Sequence, residues 1–440
     1  RPALRLRPCV ALWPHQRRAL DAVLLPDGRA RSGMVVVPCG GGKTLLAVAL
    51  CARLQAERVL VLCHNSASVL QWKRQFEAWS LPLRPVCAWL CPPSLQSAQM
   101  EGAGVVIMTY KMLSTASSMD RYVQRWVRQQ RWAVIYDEVH GAPAERIETH
   151  VLRQLRAYVR IGLSATLIRE DNRIDGLKKH IGPVLCHVGW MELTQQKLLA
   201  PVRCVEIRCP LPPAWRAAHR KYSEMGQKIL SAQNPTKLAT CRALLQRHAA
   251  ASILLFFEEL EAMRDYARRL GVAYLCGNTP PALQRQLMEN FRQGTLRVLA
   301  CSRTGDTSND FPRATVGIQV SSHYGSRRQE AQRFGRLTRL WRVGGVIQAS
   351  TFYTLVSEDT KEEKDSARRQ QYLVAQGYAY KKERAPALPP ALEAALTPPD
   401  LARTPAVQAA APAPQKKKAA RPPGRGPRRH ARLLQRLRRR

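Results

Sequence analysis

The sequence predicts an α/β fold with parallel sheets in two successive units. Two observations predict it. Short, continuous apolar runs alternate with helical patterns, as buried parallel strands and their crossover helices require. The residues that suggest chemistry also fall at the C-terminal ends of those runs, where an open parallel sheet places its ligand sites.

Bulk properties narrow the class. A chain of 440 residues suggests two to three domains, and an apolar content of 45% is enough to bury a large core. The formal charge is +38, from 70 Lys and Arg against 32 Asp and Glu. Residues 415–440 carry three Lys and nine Arg with no acid, so the rest of the chain still stands at +26. Such a body points to a polyanionic partner, most simply nucleic acid, the plain alternative being a solvated basic surface with a basic tail. No apolar run approaches the ~18–20 residues of a membrane span, so no membrane partner is expected. Of twelve cysteines, Cys39, Cys63 and Cys301 sit in apolar runs and read as buried thiols. The close pairs Cys87/Cys91 and Cys204/Cys209 lack a two-by-two zinc spacing with His. No structural metal is expected, and a reducing compartment fits.

In chain order, Leu12-Trp13-Pro14-His15-Gln16 precedes Arg17 to Leu24, which reads as an amphipathic helix. Met34 to Val37 is an apolar, β-branched run. It meets Pro38-Cys39-Gly40-Gly41-Gly42-Lys43-Thr44 and then the helix-forming Leu45 to Leu50. In a strand–loop–helix of this kind the glycines let backbone N–H groups cradle a polyphosphate. Lys43 reaches its β/γ end and the Thr44 hydroxyl binds Mg²⁺. The strict pattern has Gly where this chain has Val37, and the stretch alone also reads as a Gly-rich turn before a helix. Arg58 to Cys63 and Gly104 to Tyr110 read as buried strands, with Ser68 to Trp79 helical between them.

Trp132 to Tyr136 is a strand ending in Asp137-Glu138-Val139-His140. Two acids at the end of an apolar strand are costly without partners. As a pair they can bind Mg²⁺ through Asp137 and set Glu138 beside an attacking water, the alternative being an acidic loop. Tyr158 to Leu163 is a further strand, followed by Ser164-Ala165-Thr166, whose hydroxyls suit a nucleotide-sensing relay.

Residues 191–248 break the rhythm with Pro210, Pro212 and Pro213 and a basic helical stretch from Trp215 to Leu230, so a helical insert or bridge is expected. Alternation resumes with the strand Ile253 to Phe257, the helix Leu260 to Leu270 and the strand Val272 to Leu275. A helix from Pro281 to Phe291 and the strand Leu296 to Cys301 follow. This second unit has no phosphate loop. It has Gly305-Asp306-Thr307 and the run Gln329 to Arg339, in which Arg336 and Arg339 share a helix face with Gln332. An Arg pair offered across a cleft stabilises charge on a γ-phosphate, the alternative being a solvated basic helix. Residues 386–440, rich in Pro, Ala, Arg and Lys, are expected to be disordered. Their basic end reads as a nuclear localisation signal, a nonspecific nucleic-acid arm or a solvated tail.

With Gly40 to Thr44, Asp137 to His140, Ser164 to Thr166 and Gln332 to Arg339 in order, the chain resembles a superfamily 2 helicase, and more closely the XPB-type DNA helicases/translocases. The closer resemblance is carried in the first unit by Gly28-Arg29-Ala30-Arg31-Ser32-Gly33, Ser68-Val69-Leu70-Gln71-Trp72-Lys73 and Ser164 to Asp171. Further along it is carried by Ile181-Gly182-Pro183, Trp190-Met191-Glu192-Leu193 and Gly325 to Arg333, and it covers roughly residues 5–385. It implies two RecA-like domains with ATP between them: residues 1–190, then a thumb-like module at 191–248, then 249–385, with the tail at 386–440.

It also implies roles. Gln16 resembles the adenine reader, and Pro38 to Thr44 the phosphate loop, whose missing first Gly is a family trait. Thr44 and Asp137 resemble the Mg²⁺ ligands, Glu138 the catalytic base, and Gln332, Arg336 and Arg339 the catalytic residues of the second domain. Gly305 and Asp306 are placed on the nucleotide. Thr109, His140, Ser164, Ala165, Thr166 and Thr307 are placed in coupling to DNA, and Arg169-Glu170-Asp171 in DNA engagement.

The resemblance implies an ATP- and Mg²⁺-dependent 3′–5′ motor on single-stranded and duplex DNA, with sequence-independent contacts. It further implies a nuclear role in nucleotide excision repair or RNA polymerase II initiation, with other subunits of factor IIH as partners. The family's core normally follows a large N-terminal region, whereas this chain enters its core almost at once, as a fragment or a short paralogue would. One rival is an RNA helicase of the same superfamily, against which the Asp-Glu-Val-His and Arg-Glu-Asp motifs speak. The other is a basic scaffold with a dead ATPase site, against which Lys43, Glu138, Arg336 and Arg339 speak.

Overall fold

The computed structural model describes residues 2–88, 102–114, 131–139, 155–165, 174–302, 311, 313–321, 333–335, 337, 342–343 and 346–399. The first unit runs β1 (Leu4–Leu6), α1 (Pro14–Val23), β2 (Gly33–Val36), α2 (Lys43–Arg53), β3 (Val59–Cys63), α3 (Ser66–Trp79) and β4 (Ser80–Pro82). It continues with β5 (Val86–Ala88), β6 (Val105–Thr109), α4 (Tyr110–Ser114), β7 (Trp132–Tyr136), β8 (Ala157–Ser164), α5 (Ile174–Ile181) and β9 (Val184–His187). Seven of these strands form one sheet in the order β5-β6-β3-β7-β8-β2-β9, and every pairing in it is parallel.

The expected strands are where the apolar runs placed them. β3, β6 and β7 are buried along their whole length, because helices cover both faces of the sheet. α3 starts where the Asn65 side chain accepts from the Ser68 N–H at 2.9 Å, an N-cap. The register then brings the functional ends together. β8 lies between β2 and β7, with Val36 opposite Ser164 and Tyr136 opposite Gly162. The Val37 N–H extends this ladder by donating to the Ser164 carbonyl at 3.0 Å.

The second unit begins with α6 (Trp190–Gln195), β10 (Val202–Cys209), α7 (Pro213–Lys221), α8 (Glu224–Ala232) and α9 (Pro235–Arg247). It goes on through β11 (Ser252–Phe256), α10 (Leu260–Leu270), β12 (Ala273–Leu275), α11 (Pro281–Gln293), β13 (Val298–Cys301) and β14 (Ala314–Gln319). A short antiparallel pair, β15 (Arg342–Val343) and β16 (Val346–Ile347), precedes β17 (Ser350–Ser357), α12 (Lys361–Ala375), β18 (Ala379–Arg384) and α13 (Pro390–Ala395). Its sheet is also seven-stranded and parallel, in the order β12-β13-β11-β14-β17-β10-β18.

Two expectations are corrected here. Residues 191–248 are not helical throughout, because β10 is an inner strand of the second sheet, between β17 and β18. The second sheet therefore starts inside the span expected to bridge the domains. α7 and α8 do form a small helical unit, with Trp215, Ile229 and Leu230 around Leu211. The tail expected to be disordered from residue 386 has an ordered beginning, with Leu388 buried and α13 formed, whereas residues 400–440 lie outside the described residues.

The second unit packs an aromatic row of its own beside the phosphate loop, and it meets that loop at Gly335. The Trp190 ring stacks on Tyr378 at 4.1 Å, Tyr378 lies 5.1 Å from Phe334, and Phe334 lies 4.3 Å from Phe352. Gly335 faces Cys39 so closely that a β-carbon there would come within 2.7 Å of the Cys39 Sγ.

Candidate ATP site

The loop between β2 and α2 is held from behind by α1. The buried His15 donates from Nε2 to the Gly41 carbonyl at 2.8 Å. Burial pushes its pKa down, which keeps the ring neutral and able to donate through one nitrogen only. Gln16, also buried, accepts the Trp13 N–H at 2.9 Å and donates to the Gly42 carbonyl at 3.2 Å. Gly42 caps α2 with a φ of +78°, in the left-handed region that favours glycine. A helix beginning at Lys43 with no capping side chain leaves its first N–H groups for an anion.

Lys43 Nζ donates to the Val37 carbonyl at 3.3 Å and lies 3.8 Å from a Glu138 carboxylate oxygen. Lysine and acid thus pair beside the loop. Thr44, half-buried, follows Lys43 in the first turn of α2.

The acid pair sits one strand over from the strand beside the loop. The Asp137 N–H donates to the Leu62 carbonyl at 3.0 Å, which prolongs the β3–β7 ladder by one rung. Its carbonyl accepts from the Tyr110 hydroxyl at 3.0 Å, and its Oδ2 accepts from the Trp72 indole at 2.8 Å. Burial first, and then the charge of Glu138, push the Asp137 pKa up to about 6; the Trp72 bond and Lys43 oppose that rise. A half-buried carboxylate carrying this penalty is a natural place for a divalent cation, which removes it. Glu138 has a φ of +46°, unusual for a residue with a β-carbon, and its carbonyl accepts from His64 Nε2 at 3.1 Å. The glycine cradle, the lysine and the half-buried acid pair are the donor set a Mg²⁺-bound polyphosphate needs.

The other residues singled out in the sequence divide. Ser164 is buried at the end of β8, on the rung next to the loop, and Ala165 follows it half-buried. Thr109 is buried, and its hydroxyl accepts from the Met112 N–H at 3.4 Å, so it caps the following turn. His140, Thr166, Arg169, Glu170, Asp171, Gly305, Asp306, Thr307, Gln332, Arg336 and Arg339 lie outside the described residues. Arg333, within the same run, is fully buried. It donates to the Gln319 side chain at 2.7 Å and to the Ser321 carbonyl at 3.2 Å, and it stacks over Phe256, so it anchors the run to the second sheet. Sequence reasoning missed His15, His64, Trp72 and Tyr110 as site residues. Only the place of Trp72 in the helix after β3 hinted at it.

A phosphate loop and an acid pair at the same end of one parallel sheet, with only β8 between their strands and a second parallel-sheet unit against the loop, define a helicase-type nucleotide-binding core. Comparison with known proteins places it further. A family model described as "ERCC3/RAD25/XPB C-terminal helicase" matches residues 193–385, and one described as "Type III restriction enzyme, res subunit" matches residues 10–169. The chain is 37% identical over 383 residues to the general transcription and DNA repair factor IIH helicase/translocase subunit XPB/SSL2 of Saccharomyces cerevisiae, covering 86% of this chain and 45% of that protein. It is 39% identical to the XPB subunit of Danio rerio, covering 86% and 48%. It is 34% identical to that of Enterocytozoon bieneusi, covering 86% and 63%. In its helicase core the chain is similar to the XPB-type helicases, and it spans about half the length of most of these relatives. The Pyrococcus furiosus Hef helicase domain, with a TM-score of 0.53 and 15% identity over 81% of this chain and 98% of that one, shares the fold.

Proposed function

We propose that this chain is the motor core of an ATP-dependent DNA helicase/translocase. The observation that carries the reading is the convergence of Lys43, Asp137 and Glu138 on one end of the first sheet, with Lys43 3.8 Å from Glu138. Thr44 and Asp137 would hold Mg²⁺, which when bound neutralises charge on the β- and γ-phosphates. Lys43 binds and orients the γ-phosphate. Glu138 orients the attacking water and accepts its proton. Arg336 and Arg339 are assigned to the charge that develops on the γ-phosphate, and Gln332 to positioning beside them. Gln16 and the Pro38–Gly42 backbone bind the nucleotide, and Gly305 and Asp306 belong to the same site. Ser164 to Thr166, His140 and Thr307 couple it to DNA, which Arg169, Glu170 and Asp171 engage.

The boundaries near residues 190 and 385 are proposed as those of the two motor domains. Residues 210–248 are proposed as the remaining thumb-like part. Relatives that bear the name of factor IIH subunits support a nuclear role in transcription and repair, with other subunits of that factor as partners. The net charge of +38 supports DNA as the track, held mainly through its phosphates.

The test is ATP hydrolysis by the intact chain with single-stranded DNA, duplex DNA or RNA added in turn. Stimulation by DNA well above that by RNA is expected. Stimulation by RNA alone would replace this reading with an RNA helicase, and binding of DNA without hydrolysis would replace it with an inactive scaffold.

A further inference from the structure

Trp72, which lies outside the loop and the acid pair, contacts Asp137. We propose that Trp72 is a positioning residue for the metal: its indole N–H holds the Asp137 carboxylate in the orientation that Mg²⁺ binding requires. The inference rests on the reading of Asp137 as a Mg²⁺ ligand.

The indole Nε1 lies 2.8 Å from Oδ2, and the Trp72 side chain is only 3% exposed, packed 5.9 Å from Phe76 in the core under the sheet. The ring therefore cannot follow the carboxylate if it turns. The backbone of Asp137 is fixed independently, by Leu62 and by the Tyr110 hydroxyl, so what remains to be set is the carboxylate's rotation, which the Glu138 N–H and the Trp72 indole hold together. The indole engages Oδ2 and leaves Oδ1 to other partners. Indole is suited to this because it donates one hydrogen bond, carries no charge and offers no lone pair to compete for the metal. It is the kind of outer partner that fixes ligand geometry in metal sites generally.

Two substitutions isolate the hydrogen bond. Incorporating β-(3-benzothienyl)alanine at position 72 keeps the ring's shape and removes the N–H, and Trp72→Phe removes it with less bulk. The readout is binding of the mant derivative of AMP-PNP to the intact chain as Mg²⁺ is titrated. Both variants should raise the half-saturating Mg²⁺ concentration by ~10–100-fold, with nucleotide binding in EDTA unchanged. Phe76→Leu disturbs the same packing and keeps the bond, so it should stay within about twofold of the wild type on the same scale. An isostere that binds Mg²⁺ like the wild type, or Phe76→Leu matching the Trp72 variants, overturns the proposal. Wild-type binding that ignores Mg²⁺ would instead overturn the assignment of Asp137 beneath it.

Discussion

At the scale of single residues, Glu138 is the most constrained. A left-handed backbone at a residue with a β-carbon costs about 1–2 kcal/mol, and here the His64 bond to its carbonyl helps to hold it. Glu138→Gln keeps the shape and removes the base. ATP binding should persist while hydrolysis falls by ~10²–10⁴-fold, as separate binding and turnover assays would show. His15 does different work, since its bond to Gly41 shapes the loop without reaching the nucleotide's chemistry. His15→Phe should raise the KM for ATP and leave kcat nearly unchanged; a loss confined to kcat would contradict this role. The loop and the acid pair are legible in the sequence because each is contiguous, a run of residue types whose spacing is itself the signal. Trp72, Tyr110 and His15 are not legible in that way. Their roles depend on partners 65, 27 and 26 positions away, which only the sheet brings near.

Among the elements, the first sheet was readable strand by strand because its core strands are unbroken apolar runs. β10 was not. Its Val-Arg-Cys-Val-Glu-Ile-Arg-Cys mixes charges into an inner strand, and the burial of Glu206 makes sense only with its partners in view. Ser366, 160 residues later, and Tyr380, 174 later, both donate to its carboxylate, and Arg208 pairs with it. Burial alone would raise the Glu206 pKa, but these contacts outweigh it and the net shift is downward. The cluster's stabilisation is therefore present above the unfolded glutamate pKa of about 4.3 and is lost as pH falls through the lower folded value. Ser366→Ala leaves a buried carboxylate one donor short and should cost ~1–3 kcal/mol in urea denaturation at neutral pH. A change below about 0.5 kcal/mol would mean that water takes the serine's place.

For the whole molecule, the contact between Gly335 and Cys39 ties the second unit to the phosphate loop. Gly335→Ala would drive a methyl group into Cys39, so ATP should still bind while hydrolysis falls by about 10²-fold, the cost of a misplacement near 1 Å. Adding Cys39→Gly to the same chain removes the obstructing β-carbon and should restore much of the rate. If it does not, the two units do not meet in this way when ATP is hydrolysed. Buried His15 and half-buried His219 and His248 all have pKa values pushed down, chiefly by desolvation. Unfolded chains take up protons at these residues before folded ones do. Stability should thus decline as pH falls below about 6.5, which melting temperatures between pH 7.5 and 5.5 would record. The account as a whole stands on Lys43 and the loop that presents it. The most direct measurement is steady-state ATP hydrolysis with and without DNA, for the wild type and for Lys43→Ala. The account predicts that DNA raises the wild-type rate and that Lys43→Ala abolishes hydrolysis under both conditions. Lys43→Ala turning over ATP at the wild-type rate, or a wild-type rate indifferent to DNA, would contradict it.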